Sequence, residues 1–447
     1  MTVKLDRKGL PIDGKKTPDN LERKIMIYKL GGDVAGSPST MMDISDLFMS
    51  EIEKGNLPVA VISALKSSYI KELIEKETGY IYADKSKLSV TDVLIDYKEI
   101  IETIQEKNGW NQTRARQEYI KLLEQIHNQV IGDLGLEDIV VQVPKDEAIT
   151  VKKSQPKQRR HSPLPFLDIL LSGPEVLDEG IFPLEGRVIT GDLSSTDINI
   201  LLYGPGQTTL DESFVQFASS FSNGTAHRSN SQSKDSGRYT YTHYTVERGN
   251  KLSFVISREI GRISKWIASH INEEHHLQTY DELTYRGDYM AAIMFSALLN
   301  KRLKQKKAKL REQFHDKEER KQHLKKLPSY SRPITGREAA IFTDDVYGNA
   351  NILEPYADNP GLHTRLIFVN EFFKKGVTPV LAGFGGVYQK GDELRRTVLG
   401  RSGTDTSATR VKQSLNPITK GQDYGPMDVE CVFIKDTSGC LTADPSK

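Results

Sequence analysis

Short apolar segments that end in polar, glycine- or serine-bearing turns open the chain. Residues 24–28 are mostly apolar and run into Gly31 and Gly32. A second apolar segment, residues 57–63, ends in the polar turn 66–68. Apolar strands of this length followed by such turns are typical of a parallel sheet whose strands alternate with helices. The pattern therefore predicts an α/β fold.

Apolar residues at helical spacing follow these strands. Two stripes predict two helices with one buried face each, and a third stripe, which begins near Tyr280, predicts a buried helix that continues into the basic run 301–326. The stripes consist of Val93, Tyr97, Ile100, Ile101 and Ile104, then Tyr119, Leu122, Leu123, Ile126 and Val130, and then Met290, Ile293, Met294, Ala297 and Leu298.

The alternation of strands and turns returns in the last third of the chain. Residues 378–382 and 429–434 predict strands, and the turns 383–386 and 435–439 follow them. An amphipathic helix is predicted before the first of these strands, and its apolar residues are Leu366, Val369, Phe372 and Phe373.

Other parts of the chain lack this regularity. Residues 1–20 are polar and predict a disordered arm. Within 135–275, proline-containing basic stretches and a run rich in Ser and Asn predict a partly disordered insert, because they can bury little apolar surface. Residues 301–330 predict a basic helical insert. The remainder of 21–447 is predicted to form one catalytic domain.

The formal charges nearly cancel, with 61 Lys and Arg against 60 Asp and Glu and a net charge of +1. Such a balance supplies no overall field that attracts nucleic acid or an anionic membrane. The 2 cysteines are too few for a disulfide framework. The apolar stretches are too short to span a bilayer, and no signal-peptide core begins the chain. We therefore predict a cytoplasmic protein without nucleic-acid or membrane partners.

Three segments carry residue types that suit a nucleotide and an acidic substrate. Lys29 precedes Gly31 and Gly32, and this combination can cradle a phosphate, because glycine lets backbone N–H groups approach and lysine supplies positive charge. Arg401, in a glycine-rich loop, can hold a carboxylate through two parallel hydrogen bonds. The strand end at 435–436 suits a ribose or magnesium contact. Each segment taken alone also fits an ordinary turn or surface loop.

Together, and in this order along the chain, these segments resemble the aspartate kinase family. That resemblance implies a three-layer α/β/α sandwich with a mainly parallel sheet, of the amino-acid-kinase type, shortened at its C-terminus. The segments that carry it are Lys29-Leu30-Gly31-Gly32, Val61-Ile62-Ser63-Ala64, Arg286-Gly287-Asp288-Tyr289-Met290, Thr343-Asp344-Asp345-Val346-Tyr347-Gly348-Asn349-Ala350, Pro379-Val380-Leu381-Ala382-Gly383-Phe384, Leu399-Gly400-Arg401-Ser402-Gly403-Thr404-Asp405 and Thr442-Ala443-Asp444-Pro445.

The resemblance implies a role for several residues on the nucleotide side. Lys29 is expected to contact the transferring phosphate, and Asp405 is expected to orient Lys29; these two are the predicted catalytic residues. ATP and Mg²⁺ are the implied cofactors, since phosphoryl transfer relies on positioning and charge neutralisation. The residues expected at the nucleotide are Lys29, Gly31, Gly32, Lys435 and Asp436.

L-Aspartate is the implied substrate. Arg401 is expected to grip its α-carboxylate, and Asp288 is expected to hold its α-ammonium group where the family has Glu. The residues expected to line the substrate pocket are Ser63, Phe384 and Thr404. No metal ligand is predicted in the protein, because the acidic and histidine-rich run 273–276 fits a solvated helix end better than a metal site.

Several positions depart from the family pattern, mostly on the ATP side. Asp33 stands where the family has Thr and places an acid beside the glycine turn. Leu441 stands in place of a Tyr, and Ser446 in place of an Arg. The family continues beyond the position of Lys447 with regulatory ACT domains, so a chain without them is expected to escape feedback inhibition.

Three hypotheses remain open at this point. The first is an aspartate kinase that makes 4-phospho-L-aspartate, the first step of aspartate-family amino acid biosynthesis, in the service of a specialised pathway. The second is a catalytically impaired relative that acts as a binding or assembly protein. The third is a defective gene product. Formation of a homo-oligomer is left open.

Overall fold

The strands predicted around the glycine turns form one sheet in the computed structural model, which describes residues 24–143, 249–271, 277–353, 361–390, 393–416 and 428–434. Within these ranges, five strands lie in the order β11-β1-β2-β8-β7, and every pairing is parallel. The strands are β1 (Lys24–Leu30), β2 (Leu57–Ile62), β3 (Lys66–Ser67), β4 (Leu88–Ser89), β5 (Val140–Val141), β6 (Asn250–Lys251), β7 (Tyr330–Ile334), β8 (Val377–Ala382), β9 (Gly385–Lys390), β10 (Glu393–Val398) and β11 (Asp428–Ile434).

Helices cover both faces of this sheet. Alternate side chains of a strand point to opposite faces, and β1 shows this division: Met26, Tyr28 and Leu30 belong to one hydrophobic core, whereas Ile25 and Ile27 belong to another. Because helices cover both cores, side chains on both faces of β1 are buried, and the strand is therefore apolar along its length. The predicted three-layer α/β/α arrangement with a mainly parallel sheet is confirmed.

The first core contains most of the helices, and the second contains the helix that carries Asp405 together with a π-helical turn. The helices are α1 (Gly32–Ala35), α2 (Pro38–Glu53), α3 (Ser68–Thr78), α4 (Val90–Ile95), α5 (Tyr97–Asn108), α6 (Gln112–Asp133), α7 (Leu252–His270), α8 (Leu277–Gln313), α9 (Lys317–Lys326), α10 (Leu362–Ile367), which continues as the π-helical turn Phe368–Phe373, and α11 (Gly403–Leu415).

The apolar stripe from Val93 to Ile104 belongs to two helices, α4 and α5, rather than to the single helix that the spacing predicted. A capping box starts α4, because the Ser89 hydroxyl accepts from the Asp92 N–H and the Asp92 carboxylate accepts from the Ser89 N–H. Asp96 separates the two helices without turning the stripe away from the core, so the apolar spacing could not reveal the break.

The long helix α8 buries its apolar stripe as predicted, and its later turns are basic and largely solvated. The segment 286–290, which resembles a helix start, lies instead inside α8, because no residue before it breaks the helix. The basic run does not continue as one helix: α9 begins after a break at 314–316, and none of its residues is buried. Within the described ranges, no helix is long and apolar enough to cross a membrane.

A hairpin was missed by the sequence prediction. The pattern predicts a turn at 383–386, but Gly385 and Gly386 belong to β9, which pairs antiparallel with β10. Strand β7 was also missed, because its apolar run is interrupted by Arg332 and Pro333. Arg332 is buried there against Glu338, with 2.5 Å between Nη2 and Oε1.

Residues 144–248 lie outside the described part of the chain, so the insert predicted over 135–275 stays a prediction there. Its two described ends are integral to the fold. Helix α7 places Val255, Ile256 and Ile263 in the first core, and β5 pairs with β6. The apolar residues of α7 have helical spacing, but the helix was missed because the polar composition of the segment before it led to the whole range being predicted as an insert.

Candidate active site

The carboxyl ends of adjacent strands meet at one edge of the sheet and are tied to each other. The Gly31 N–H donates to the Ile434 carbonyl across 3.2 Å, the Ser63 N–H to the Leu30 carbonyl across 3.1 Å, and the Gly383 N–H to the Ile62 carbonyl across 3.0 Å. Parallel strands bring their carboxyl ends to the same edge, where ligands bind in open α/β sheets. Most of the predicted site residues therefore lie at this edge.

Lys29 and Asp405 form an ion pair, with 2.8 Å between Nζ and Oδ1. Lys29 is the penultimate residue of β1 and is buried, whereas the side chain of Asp405 is 26% exposed. Asp405 lies in the first turn of α11, where a carboxylate is favoured by the helix dipole. The structure thus brings the two predicted catalytic residues together, while their roles stay predictions.

A chain of hydrogen bonds joins three of the predicted substrate residues. The Ser63 hydroxyl donates to the Thr404 hydroxyl across 3.0 Å, and the Thr404 hydroxyl donates to Asp288 Oδ2 across 3.4 Å. The Ala64 N–H donates to Asp288 Oδ1 across 2.7 Å. Asp288 therefore ties α8 to the end of β2 and to the start of α11.

Burial shapes the acid–base chemistry of Asp288. Loss of hydration raises the pKa of its carboxyl to about 7, although hydrogen bonds from Ala64, Thr404 and Phe384 and the charge of Lys29 lower it. The charged form of a buried carboxyl is disfavoured in this way unless cations lie close. Asp288 can thus change its charge near neutral pH.

The backbone at the end of β8 lies close to the start of α11, so Phe384 and Thr404 are near each other. A Cβ atom at Gly383 would stand 2.4 Å from Thr404 Cγ2, so only glycine permits β8 to end against the start of α11. The Phe384 carbonyl accepts from the Leu399 N–H across 3.0 Å, which fixes the loop that carries Arg401.

Arg401 is exposed at the tip of that loop. The backbone on both sides of it is left-handed, with φ of 67° at Gly400 and 65° at Ser402. Ser402 is the residue that precedes α11. The loop therefore presents the guanidinium to solvent beside the first turn of the helix that carries Thr404 and Asp405.

Asp281 was missed by the sequence analysis. Its buried carboxylate accepts from the Gly348 N–H across 3.0 Å and from the Val398 N–H across 2.9 Å. It therefore joins the loop 343–350, part of the family resemblance, to the strand that leads to Arg401. Burial raises the pKa of Asp281 to about 7, despite these two hydrogen bonds. Its position about two helical turns before Asp288, on the same face of α8, is the signal that could have identified it.

Two ion clusters beside the site also escaped the sequence analysis. Glu259 of α7 binds Arg286, two residues before Asp288, and Asp33 binds two lysines beside the glycine turn. Both clusters join residues that lie far apart in sequence, so spacing gave no sign of them.

Lys435 and Asp436 lie outside the described residues, so their predicted nucleotide contacts stay predictions. The described chain reaches Ile434, whose carbonyl accepts from the Gly31 N–H. In the described part of the chain, no group of three or more His, Cys, Asp and Glu residues is arranged to hold a metal ion.

The residues at the glycine turn suit a nucleotide phosphate. A Cβ atom at Gly31 would stand 3.8 Å from Lys29 Nζ, so the lysine ammonium faces the space that a side chain there would fill. A phosphate accepts hydrogen bonds from both backbone N–H groups and lysine. Lys29 is thus suited to hold an ATP phosphate, with which Mg²⁺ would arrive. The Gly31 N–H already donates to the Ile434 carbonyl, so its expected phosphate contact stays a prediction.

Curated aspartokinases match parts of the chain, although no family model matches it. The aspartokinase of Mycolicibacterium smegmatis is 33% identical over 122 residues, which are 27% of this chain and 24% of that protein. Chloroplastic aspartokinase 2 of Arabidopsis thaliana is 27% identical over 219 residues, which are 45% of this chain and 32% of that protein. The matches thus span about a quarter to a third of the relatives' length.

Two solved structures resemble the fold. The aspartate kinase of Clostridium acetobutylicum has a TM-score of 0.40 at 12% identity, over 95% of this chain and 50% of that one. Aspartokinase III of E. coli, in complex with aspartate and ADP, has a TM-score of 0.35 at 12% identity, over 91% and 49%. Because both scores are below 0.5, the relationship rests on the sequence matches. The chain is a divergent, aspartokinase-like protein.

Proposed function

We propose that the protein transfers the γ-phosphoryl group of ATP to the side-chain carboxylate of L-aspartate. The product is 4-phospho-L-aspartate, which enters the synthesis of aspartate-derived amino acids. The observation that carries the proposal is the 2.8 Å ion pair between Lys29 and Asp405, at the sheet edge where the Asp288 hydrogen-bond chain also ends. The names of the curated relatives support the same reaction.

The transfer step needs charge control rather than proton transfer. An oxygen of the substrate carboxylate attacks the γ-phosphorus, the bond from that phosphorus to the β,γ-bridging oxygen breaks, and ADP leaves with the electron pair. Lys29 neutralises charge on the transferring group, and Asp405 holds the lysine in place. Mg²⁺, when bound with ATP, would supply further neutralisation of the phosphate charge.

The substrate is held at both ends in this proposal. Asp288, in its ionised form, pairs with the α-ammonium group of L-aspartate. The guanidinium of Arg401 binds the α-carboxylate through two hydrogen bonds. Ser63, Phe384 and Thr404 line the pocket between them and keep water from the acyl phosphate, which hydrolyses readily.

A hydroxylamine trap for the acyl phosphate tests this function. The purified protein with MgATP and L-aspartate is expected to form aspartate hydroxamate. Lys29→Ala is expected to lower kcat by about 100- to 1000-fold, as loss of one preorganised electrostatic group usually does.

Lys24→Ala is the matched control. Lys24 lies at the opposite end of β1 and also forms an ion pair, with 2.6 Å to Glu430. It should leave hydroxamate formation close to that of the wild type. Equal activity of Lys29→Ala and Lys24→Ala would contradict the assignment of Lys29.

One feature favours the second candidate, a catalytically impaired relative that acts as a binding or assembly protein. Both carboxylate oxygens of Asp288 already accept hydrogen bonds from the protein, and the residue is buried. Asp288 is also one methylene shorter than the Glu of the family. No hydroxamate from MgATP and L-aspartate, combined with no heat released on mixing with L-aspartate, would support this candidate over the enzyme.

A further inference from the structure

Asp33, directly after the glycine turn, lies between two lysines. Lys87 Nζ is 2.6 Å from its Oδ1, and Lys66 Nζ is 3.3 Å from its Oδ2. We call Asp33, Lys66 and Lys87 the lysine–aspartate cluster. An acid at this position alone would repel a phosphate, but the cluster as a whole carries an excess of positive charge.

Asp33 keeps its negative charge in the cluster. Burial raises the pKa of Asp33, but the ion pairs with Lys87 and Lys66 outweigh that effect and hold the pKa below its ordinary value. The side chain of Asp33 is 14% exposed, whereas those of Lys66 and Lys87 are 41% and 42% exposed. Both lysines therefore touch solvent on one side while they hold the carboxylate on the other.

The backbone holds the two lysines close to the glycine turn. A Cβ atom at Gly32 would stand 3.0 Å from Lys66 Cβ, so the stem of Lys66 packs on the turn itself. Lys66 begins β3, which pairs antiparallel with β4, and Lys87 is the residue just before β4. A two-strand ribbon thus carries both ammonium groups to the loop.

Lys29 lies on the other side of the same turn, near Gly31. The turn is therefore flanked by three ammonium groups and by two carboxylates, those of Asp33 and Asp405. One lysine would suffice to neutralise Asp33. The second lysine leaves a net positive charge where the chain offers glycine backbone to a ligand, and this is the charge that a phosphate chain requires.

We propose that Lys66 and Lys87 bind the phosphate chain of the nucleotide and that Asp33 is the positioning residue that keeps both lysines at the glycine turn. The inference rests on the proposed function and extends its nucleotide site to residues outside the family motifs. A lysine ammonium has three donors, so each lysine can bond to Asp33 and to a phosphate oxygen together.

Calorimetry with inorganic tripolyphosphate, which carries the phosphates without the nucleoside, tests the proposal, and MgATP is titrated in parallel. Lys66→Gln and Lys87→Gln are each expected to raise the Kd of both ligands about 10-fold or more, the loss typical of a charge-assisted hydrogen bond. The Kd of L-aspartate should stay unchanged. Wild-type protein that does not bind tripolyphosphate would overturn the proposal.

Lys85→Gln is the matched control. Lys85 lies two residues from Lys87, is similarly exposed and forms a 2.7 Å ion pair, but with Asp92. Its loss should leave the Kd of tripolyphosphate unchanged. An equal loss of affinity in Lys85→Gln and Lys87→Gln would reduce the effect to general surface charge and would overturn the proposal.

A charge-matched double variant separates direct binding from simple neutralisation of Asp33. Asp33→Asn combined with Lys87→Gln keeps the net charge of the wild-type cluster. If Lys87 only neutralised Asp33, this variant would bind tripolyphosphate as tightly as the wild type, which would contradict the proposal. We expect its Kd to stay raised about 10-fold, because a phosphate donor is still missing.

The hydroxamate assay on the same samples separates this proposal from the proposed function. Tripolyphosphate binding that depends on Lys66 and Lys87, in a protein that forms no hydroxamate, would support the phosphate site and contradict the kinase. The opposite result would be hydroxamate formation together with a Kd for tripolyphosphate that neither Lys66→Gln nor Lys87→Gln changes. It would support the kinase and contradict the phosphate site. Thermal unfolding of each variant identifies loss of affinity that comes only from unfolding.

Discussion

The charge state of the carboxyl groups at the sheet edge depends on the cations next to them. Asp33 has two lysines in contact, and the pKa of its carboxyl lies below the ordinary value. Asp288 relies on neutral donors and on a more distant Lys29, so burial prevails and its pKa rises to about 7. Two acids near the same turn thus differ in charge state at neutral pH, and only Asp33 is always an anion there.

This difference predicts how L-aspartate binding depends on pH. In the proposed function the ionised form of Asp288 binds the substrate ammonium group, and a group with a pKa of about 7 goes from mostly protonated at pH 6 to mostly ionised at pH 8. The affinity for L-aspartate should therefore rise about 10-fold from pH 6 to pH 8. Calorimetry across this range measures the change.

The variant Asp288→Asn provides the control for that titration, because it keeps the size of the side chain and cannot ionise. It should bind L-aspartate weakly and equally at pH 6 and pH 8. A pH-dependent rise that persists in this variant would assign the titration to another group.

At the scale of the elements, the contact between α7 and α8 supports the site from behind. Glu259 is buried on α7 and accepts from Arg286 across 2.8 Å and from Arg262 across 2.6 Å. Arg286 precedes Gly287 and Asp288 on α8, so the ion pair holds the turn of α8 that carries Asp288, the residue proposed to bind the substrate. A helix from the end of the predicted insert is therefore coupled to the site.

The substitution Glu259→Gln tests this coupling. Breaking a buried ion pair from one side leaves an uncompensated charge on Arg286 and should lower the free energy of unfolding by about 3–5 kcal/mol. Urea-induced unfolding measures the loss. Glu77→Gln is the control, because Glu77 and Lys76 are both exposed and lie 3.2 Å apart, and a surface pair contributes at most about 1 kcal/mol. Equal losses in both variants would refute a supporting role for Glu259.

At the scale of the whole molecule, buried titratable groups set the pH range of stability. His127 is fully buried in α6, and its Nδ1 contacts the Leu123 carbonyl at 2.7 Å. Burial lowers the pKa of its ring to about 4, against 6.5 in the unfolded chain, although that hydrogen bond raises it. The unfolded chain thus binds more protons than the folded chain between these two pH values.

His127 therefore stabilises the fold fully above pH 6.5 and loses this contribution as the pH falls toward 4. The contribution of His127 to the free energy of unfolding should fall by about 2 kcal/mol from pH 7 to pH 5. Asp281 and Asp288 have raised pKa values, so they stabilise the fold as the pH falls and oppose the effect of His127. The contribution of His127 is therefore measured by comparing variants with the wild type. Denaturant unfolding of His127→Gln should lack this loss on acidification. The exposed His315, replaced by Gln, should retain it.

The α/β class of the fold could be predicted from the sequence alone, and the three-layer arrangement from the family resemblance. Short apolar segments followed by glycine- or serine-bearing turns predicted the parallel sheet, because apolar runs and turn chemistry are local properties. The order of motifs also pointed to Lys29, Asp288 and Asp405 before any geometry was available. The functional roles of these residues, and those of the undescribed Lys435 and Asp436, remain predictions.

Which charged side chains contact each other depends on the tertiary structure. The contact of Lys29 with Asp405, the two lysines on Asp33, and the pairing of Glu259 with Arg286 each join residues from separate elements. Periodicity describes one element at a time, so it cannot say which side chains face each other when strands and helices pack. The charge state of each buried acid follows from those long-range neighbours and from the water that packing removes.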